Sequence, residues 1–138
     1  MVNISKQAGL GWTTLQVADA TSTLQDIRTD VNSLDWATPR GVQDVTGIDK
    51  SAHERLLLLA DFSINLSGTW DSATNLEHQV FRTISSTSVI RAVNIVVNGA
   101  TLNNNCQLTD YQIARSATGE LTWKVPGVLA DGAVPTWS

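Results

Sequence analysis

Two histidines, one cysteine and a scatter of acids are the side chains of this sequence best equipped for chemistry. His53 precedes Glu54, and Glu77 precedes His78. Adjacent residues point about 100° apart on a helix, so neither pair offers two ligands to one ion. The sequence holds no HExxH, no CxxC and no Asp-x-Asp-x-Asp-Gly loop, the spacings that zinc and calcium sites use. It also lacks GxGxxG and GxxxxGK(S/T), the loops that cradle phosphates. Solvated helix residues are the preferred reading of both histidines. Cys106 stands alone, so no intrachain disulfide can form, and it reads as a small hydrophobe in a strand. Asp19, Asp26, Asp30 and Asp35 contain carboxylates enough for acid–base work, but Asp is also a usual turn and cap residue, and that reading is preferred. No catalytic residue, metal site or cofactor is expected.

Five tryptophans are the other conspicuous feature. They could form a sugar-stacking platform. Trp70 and Trp123 fall on the apolar faces of alternating segments and read as core, whereas Trp12, Trp36 and Trp137 lie near termini and loops, where large aromatic side chains serve as interface anchors.

Such residues must be positioned by strands. The chain has 138 residues, a length that suits one domain. It contains 16 Thr, 13 Val and 8 Ile against 3 Lys and 3 Glu, and β-branched residues fit a pleated surface better than a helix. Charged residues are 16% and the net charge is −4. This balance excludes a coiled coil, a helical bundle and a basic nucleic-acid binder, since no cationic patch is available to displace counterions from phosphates. The N-terminus, MVNISKQAGLGW, lacks the apolar run of a signal peptide, and no membrane association is expected.

Residues 1–10 and 127–138 read as flexible arms around one domain. Strands are expected over 12–17, 42–45, 88–97, 106–116 and 120–125, while Leu24, Ile27, Val31 and Leu34 have helical spacing and a turn followed by a strand over 31–37 fits the segment equally well. The clearest covers 61–70: Phe62, Ile64, Leu66 and Trp70 alternate with Asp61, Ser63, Asn65, Ser67 and Thr69. Asn98-Gly99 between two apolar runs signals a two-residue hairpin. Two capping boxes, Ser51-x-x-Glu54 and Thr74-x-x-Glu77, predict helices near 50–57 and 72–83. The first continues into Leu56–Leu59, read as a buried helix end passing into a strand; the second presents Leu76 and Val80 to the core. The predicted fold is mainly β, an antiparallel sandwich or partial barrel with a flanking helix. Its core includes Phe62, Ile64, Leu66, Trp70, Leu76, Val80 and Trp123. Residues 35–49, polar and punctuated by Gly and Pro, predict an extended loop or hairpin arm.

One resemblance adds to this reading. Asp26-Ile27-Arg28-Thr29-Asp30-Val31-Asn32-Ser33-Leu34 followed by Pro39-Arg40 resembles the D-I-S-x-Y-V-N-S-V … P-R segment of phage tail tube proteins. The stretch from Leu59 to Asp71, LADFSINLSGTWD, is similar to that family's L-x-D-x-S-I-x-L-S-G-x-x-D strand. The Leu56–Leu59 run departs from the family pattern, which has a shorter apolar segment there.

The resemblance implies a structural virion protein, located in the phage tail and made in the host cytoplasm. It implies self-assembly into stacked, six-membered rings, with tape-measure and tail terminator or tip proteins as partners. DNA would pass through the tube without tight binding. Ring contacts are expected at Trp12, Trp36, Pro39, Arg40, Asp44, Thr46 and Trp137. Polar and acidic side chains from wet strand faces are expected to line the lumen, with Asp61, Asp110 and Glu120 as candidates. A capsid decoration or minor virion protein, and a carbohydrate-binding β-sandwich, are the alternatives.

Overall fold

The computed structural model describes residues 12–138; the N-terminal arm expected over 1–10 lies outside them. The chain forms β1 (Trp12–Ala18), β2 (Leu24–Asp26), a 3-10 turn (Arg28–Asp30), β3 (Val31–Ala37), β4 (Arg40–Asp44), β5 (Arg55–Ala60) and β6 (Ser63–Thr69). Helix α1 (Glu77–Phe81), β7 (Arg91–Val97), β8 (Ala100–Leu108), β9 (Gln112–Arg115) and β10 (Leu121–Leu129) follow.

All strand pairs are antiparallel. The main sheet has eight strands in the order β2-β1-β7-β8-β10-β6-β3, with β9 added beside β10. β4 and β5 form a separate two-stranded hairpin. The sheet rolls until the Trp12 end of β1 meets the Trp36 end of β3, ring centroids 5.6 Å apart. Its outermost strands, β2 and β3, do not pair with each other. The result is the expected mainly β, partial-barrel architecture.

Period-2 alternation puts Phe62, Ile64, Leu66, Trp123 and Val125 inside, all at 1% exposure or less. Leu15, Val17, Val93, Ile95, Leu102 and Cys106 enter the same core from β1, β7 and β8. Trp123 also donates its indole N–H to Thr69 O at 3.0 Å, so its one polar atom is satisfied. Trp70 and Leu76, expected in the core, are half-buried at its margin.

Backbone geometry selects the residue type at the Asn98-Gly99 turn and at Gly68. Asn98 and Gly99 have φ of +48° and +83° between paired Val97 and Ala100, which is the geometry of the tight hairpin turn that the Asn-Gly signal predicts. Gly68 lies where β3 begins: a Cβ there would stand 1.8 Å from Asp30 O.

Several elements differ from their expected form. The helix near 50–57 does not exist; residues 51–54 are irregular and β5 starts at Arg55. Thr46 Oγ1 accepts Glu54 N at 2.9 Å, and Val45 N donates to Glu54 O at 3.0 Å. Glu54 is thus engaged in closing a hairpin instead of a capping box. The leucine run extends as β5 and is exposed, not a buried helix end. α1 spans five residues, one turn within the helix predicted near 72–83, and has no side-chain cap from its own N-cap residue. The expected 106–116 strand breaks at residues 109–111 into β8 and β9. β10 runs to Leu129, so 127–129 belong to the sheet and not to an arm. The end of the chain is pinned: Ser138 N donates to Thr101 O at 2.9 Å and accepts back from Thr101 N at 2.9 Å.

Leu66→Ala should lower stability by about 2–5 kcal/mol, the range for a buried leucine truncation. Gly68→Ala should cost about 1–3 kcal/mol, because the methyl meets backbone that cannot rotate away. Thermal or denaturant unfolding checks both; an unchanged midpoint in either variant would show its packing to be wrongly assigned.

Candidate functional site

Three features stand out from the packed domain: an apolar arm, an aromatic cleft and a buried group of acids. The arm is the β4–β5 hairpin. Val42 pairs with Leu57 and Gln43 with Leu56, so successive leucines of β5 point to opposite faces. Both faces are therefore apolar and bare: Leu56 is 56%, Leu57 56%, Leu58 43% and Leu59 92% exposed. Among the described residues, seven of the thirteen exposed large hydrophobics lie on this arm, the others of the seven being Val42, Val45 and Ile48. A strand apolar on both faces is the pattern of a strand covered on both sides.

Of the residues expected at ring contacts, Pro39, Arg40, Asp44 and Thr46 belong to the arm or its base. Pro39 O accepts Asp61 N at 3.0 Å, and Arg40 Nε donates to Leu58 O at 2.9 Å. Asp44 accepts Thr46 N at 2.9 Å and faces His53 Nδ1 at 3.0 Å. The bonds from the Thr46 hydroxyl and amide hold the Asp44 carboxyl below its ordinary range. His53 is thus part of an arm brace, not a helix residue.

Trp12, Trp36 and Trp137, distant in sequence, come together. Trp36 and Trp137 ring centroids are 6.2 Å apart and tilted by 45°, and Trp12 meets Trp36 edge-on. They form one end of a cleft of about 1050 Å³ between β1–β2 and β3, which Val31, Leu34 and Leu76 continue. Three of its polar side chains, Asp26, Arg28 and Asn32, are engaged within the chain, and the hydroxyl side chains of Thr29 and Ser33 also line it. Arg28 Nε lies 3.1 Å from Asp26, Arg28 Nη1 donates to Trp12 O at 3.0 Å, and Asn32 Nδ2 donates to Thr69 Oγ1 at 3.1 Å.

The solvent face of the four central strands β6, β7, β8 and β10 is neutral. Register sets Asn103 beside Asn94, Gln107 beside Val128 and Asn65 beside Pro126. Lys124 is the one charged residue on these strands at this face; two carboxylates flank it, Asp35 accepting Asn65 Nδ2 at 3.0 Å and Asp131 accepting Asn105 Nδ2 at 2.7 Å. Asp61, Asp110 and Glu120 are exposed but stand on no strand face. Asp61 precedes β6 and accepts Phe62 N at 2.8 Å; Asp110, in the β8–β9 link, accepts Tyr111 N at 2.8 Å. Glu120 sits in the turn before β10. The expectation of acids on the wet strand faces is therefore corrected: these acids occupy turns, where Asp serves the backbone.

The acid group sits beneath α1. Glu77 is fully buried; its carboxylate accepts the Tyr111 hydroxyl and, at 3.1 Å, Asp71 N. Asp30, 6% exposed, accepts Glu77 N at 3.1 Å. His78 Nδ1 lies 3.1 Å from the Tyr111 hydroxyl, and its ring packs 5.0 Å from Trp70. His78 is a packed residue, not a solvated one. Burial raises the pKa of Glu77 above its ordinary value, and burial with the neighbouring Asp71 raises that of Asp30. Burial and the Glu77 carboxylate raise Tyr111. Sequence reasoning missed this cluster because its members lie far apart along the chain.

No family model matches the sequence, and no curated protein matches it. Two solved structures share the fold over nearly the whole chain. A chain from the virion of a native gene transfer agent particle superposes with a TM-score of 0.76 at 16% identity, covering 96% of this chain and 99% of that one. A chain from the tail of an empty gene transfer agent particle with C6 symmetry gives a TM-score of 0.72 at 18% identity, covering 96% and 98%. At this identity the likeness establishes the fold.

The raised pKa of Glu77 sets a pH signature. The folded state holds this proton more tightly than the unfolded chain does, so its contribution to stability falls as pH rises from about 4.5 through the folded-state value, and is flat above it. Glu77→Gln, which keeps the shape without the charge, should gain stability relative to wild type across that interval. Parallel stability curves for the two proteins between pH 4 and 8 would remove Glu77 from the account.

Proposed function

We propose that this chain is a structural protein of a phage-like tail, a tube subunit that associates with copies of itself into six-membered rings. The rings stack into a tube in the virion tail, through which DNA passes. The observation that carries this reading is the fold shared along 96% of the chain with virion and tail proteins of a gene transfer agent. The exposed leucines of the arm support it, because a surface so apolar calls for a protein partner. A tube also implies a tape-measure protein inside it and terminator or tip proteins at its ends. The sugar-binding alternative is weaker, since the three clustered tryptophans meet edge-on or tilted and form no flat platform.

A tube that conducts DNA must not hold it. Every Lys or Arg set against a phosphate adds salt-dependent affinity, and such contacts multiply along a tail. The amide and hydroxyl face of β6, β7, β8 and β10 meets this requirement with hydrogen-bonding groups that keep water and carry almost no charge. This face, with Asn65, Asn94, Asn103, Asn105 and Gln107, is our assignment for the lumen wall. Asp61, Asp110 and Glu120 would then stand at its rims.

Electron microscopy of the purified protein tests the assembly: hollow tubes or rings are expected, and monomers at every concentration would overturn it. Residues 35–37 of the expected 35–49 arm belong to β3, so the arm is shortened within 41–58, which should leave a folded chain that no longer forms tubes; normal polymerisation would remove the arm from stacking. Asn105→Lys with Gln107→Lys should yield tubes that retain duplex DNA in a salt-sensitive manner, where wild-type tubes do not. Retention unchanged from wild type would place this face elsewhere than the lumen.

A further inference from the structure

Glu77, Tyr111 and His78 are joined by hydrogen bonds that run in one line from a buried carboxyl to a half-buried imidazole. Glu77 has no exposure; its Oε1 meets the Tyr111 hydroxyl, and that hydroxyl lies 3.1 Å from His78 Nδ1. Donors along such a line must alternate. An ionised carboxylate only accepts, so Tyr111 donates to Glu77 and its oxygen accepts from His78 Nδ1–H. A neutral imidazole carries one N–H, so Nε2 is then bare. The second carboxyl oxygen decides the other case. Glu77 Oε2 accepts Asp71 N at 3.1 Å, so a proton added to Glu77 belongs on Oε1, facing Tyr111. The hydroxyl must then turn round, accept from Glu77 and donate to a bare Nδ1. The ring's proton moves to Nε2, which makes no hydrogen bond among the described residues.

The charged groups around this line are engaged elsewhere. Asp30 accepts Glu77 N, Asp71 accepts Ala73 N at 2.9 Å, and Asp110 accepts Tyr111 N and Gln112 Nε2. Arg91, from β7, serves Val80 O, Ala18 O and Thr83 Oγ1 at the far end of α1, and Arg82 is exposed. Asp30 and Asp71 thus add negative charge beside Glu77, and the line through Tyr111 connects its carboxyl to a partly exposed side chain.

We propose that Glu77, Tyr111 and His78 form a two-way proton relay, in which the charge of the buried carboxyl, carried through the Tyr111 hydroxyl, decides which nitrogen of His78 bears the proton. On protonation, His78 Nε2 takes a proton from solvent, Nδ1 gives its proton to Tyr111 Oη, and Tyr111 gives its own to Glu77 Oε1. Deprotonation runs the three transfers backwards, and one proton in all is gained or lost. The buried acid therefore titrates without α1 lifting from the core. The same event changes the outer ring nitrogen from an acceptor, when Glu77 is ionised, to a donor, when it is neutral. The relay belongs to the single chain and stands whether or not the chain forms a tube.

Nitrogen NMR of the full chain reads the tautomer directly, with His53→Gln to separate the two histidines. At about pH 9, the upper end of what burial does to a glutamate, wild-type His78 should carry its proton on Nδ1. Glu77→Gln should move it to Nε2 at the same pH: the amide oxygen stays with Asp71 N, and the amide N–H faces Tyr111 as the protonated carboxyl would. Tyr111→Phe, added to both proteins, should abolish the difference between them. Wild-type His78 with its proton on Nε2 at this pH would overturn the relay, whatever the variants do. So would one tautomer shared by wild type and Glu77→Gln, or a difference that survives Tyr111→Phe.

Discussion

The main sheet turns back on itself, yet its outermost strands, β2 and β3, never pair with each other. Full closure would satisfy every strand edge; here the turn at Arg28–Asp30 brings backbone against Gly68 and leads β3 away along β6. An open roll needs stoppers. At one end Phe81 and Val80 of α1 enter the core, with Phe81 packed 5.2 Å from Trp123. At the other, Trp12 and Trp36 touch across the gap, and Trp137 is brought to them by the bridge between residues 102 and 137. The cleft is what remains between the stoppers, so its position follows from the failure to close.

The one-turn helix shows the same dependence on distant groups. Five residues are too few to sustain a helix in water. α1 is held from both sides. Asp30 takes the Glu77 amide at its start, and Arg91 donates to Val80 O at its end. Arg91 is 1% exposed and also donates to Ala18 O and to Thr83 Oγ1, so one guanidinium joins β1, α1 and the start of β7. Burial lowers its pKa, but a guanidinium stays charged at any ordinary pH. These groups are costly to bury and gain their stability only when every partner is in place.

Local signals were readable where short-range physics decides. The alternation over 61–70, the Asn98-Gly99 turn and the strand from Leu121 appear as expected, because period and turn chemistry leave few options there. The hairpin arm was legible from its polar, Gly/Pro-marked first half. Its second half was not: Leu56–Leu59 after Ser51-x-x-Glu54 suits a helix equally well, and only pairing with β4 turns it into a strand. The meeting of Trp12, Trp36 and Trp137, and of Asp30 with Glu77, depends on how the sheet rolls. No window of neighbouring residues contains that information.

Cys106, the single thiol of the chain, faces the core from β8 between β7 and β10, with no exposure to solvent. Alkylating reagents attack the thiolate and must reach it. Both conditions fail until the sheet parts at this point. Reaction of Cys106 is therefore a clock for opening of the sheet, readable by mass spectrometry on unaltered protein without any inserted label. Because opening free energies differ from region to region of a fold, the same thiol reports on this part of the sheet under any two conditions compared, the proposed assembly among them. If assembly clamps the sheet, the clock slows by the factor by which the open state is depopulated.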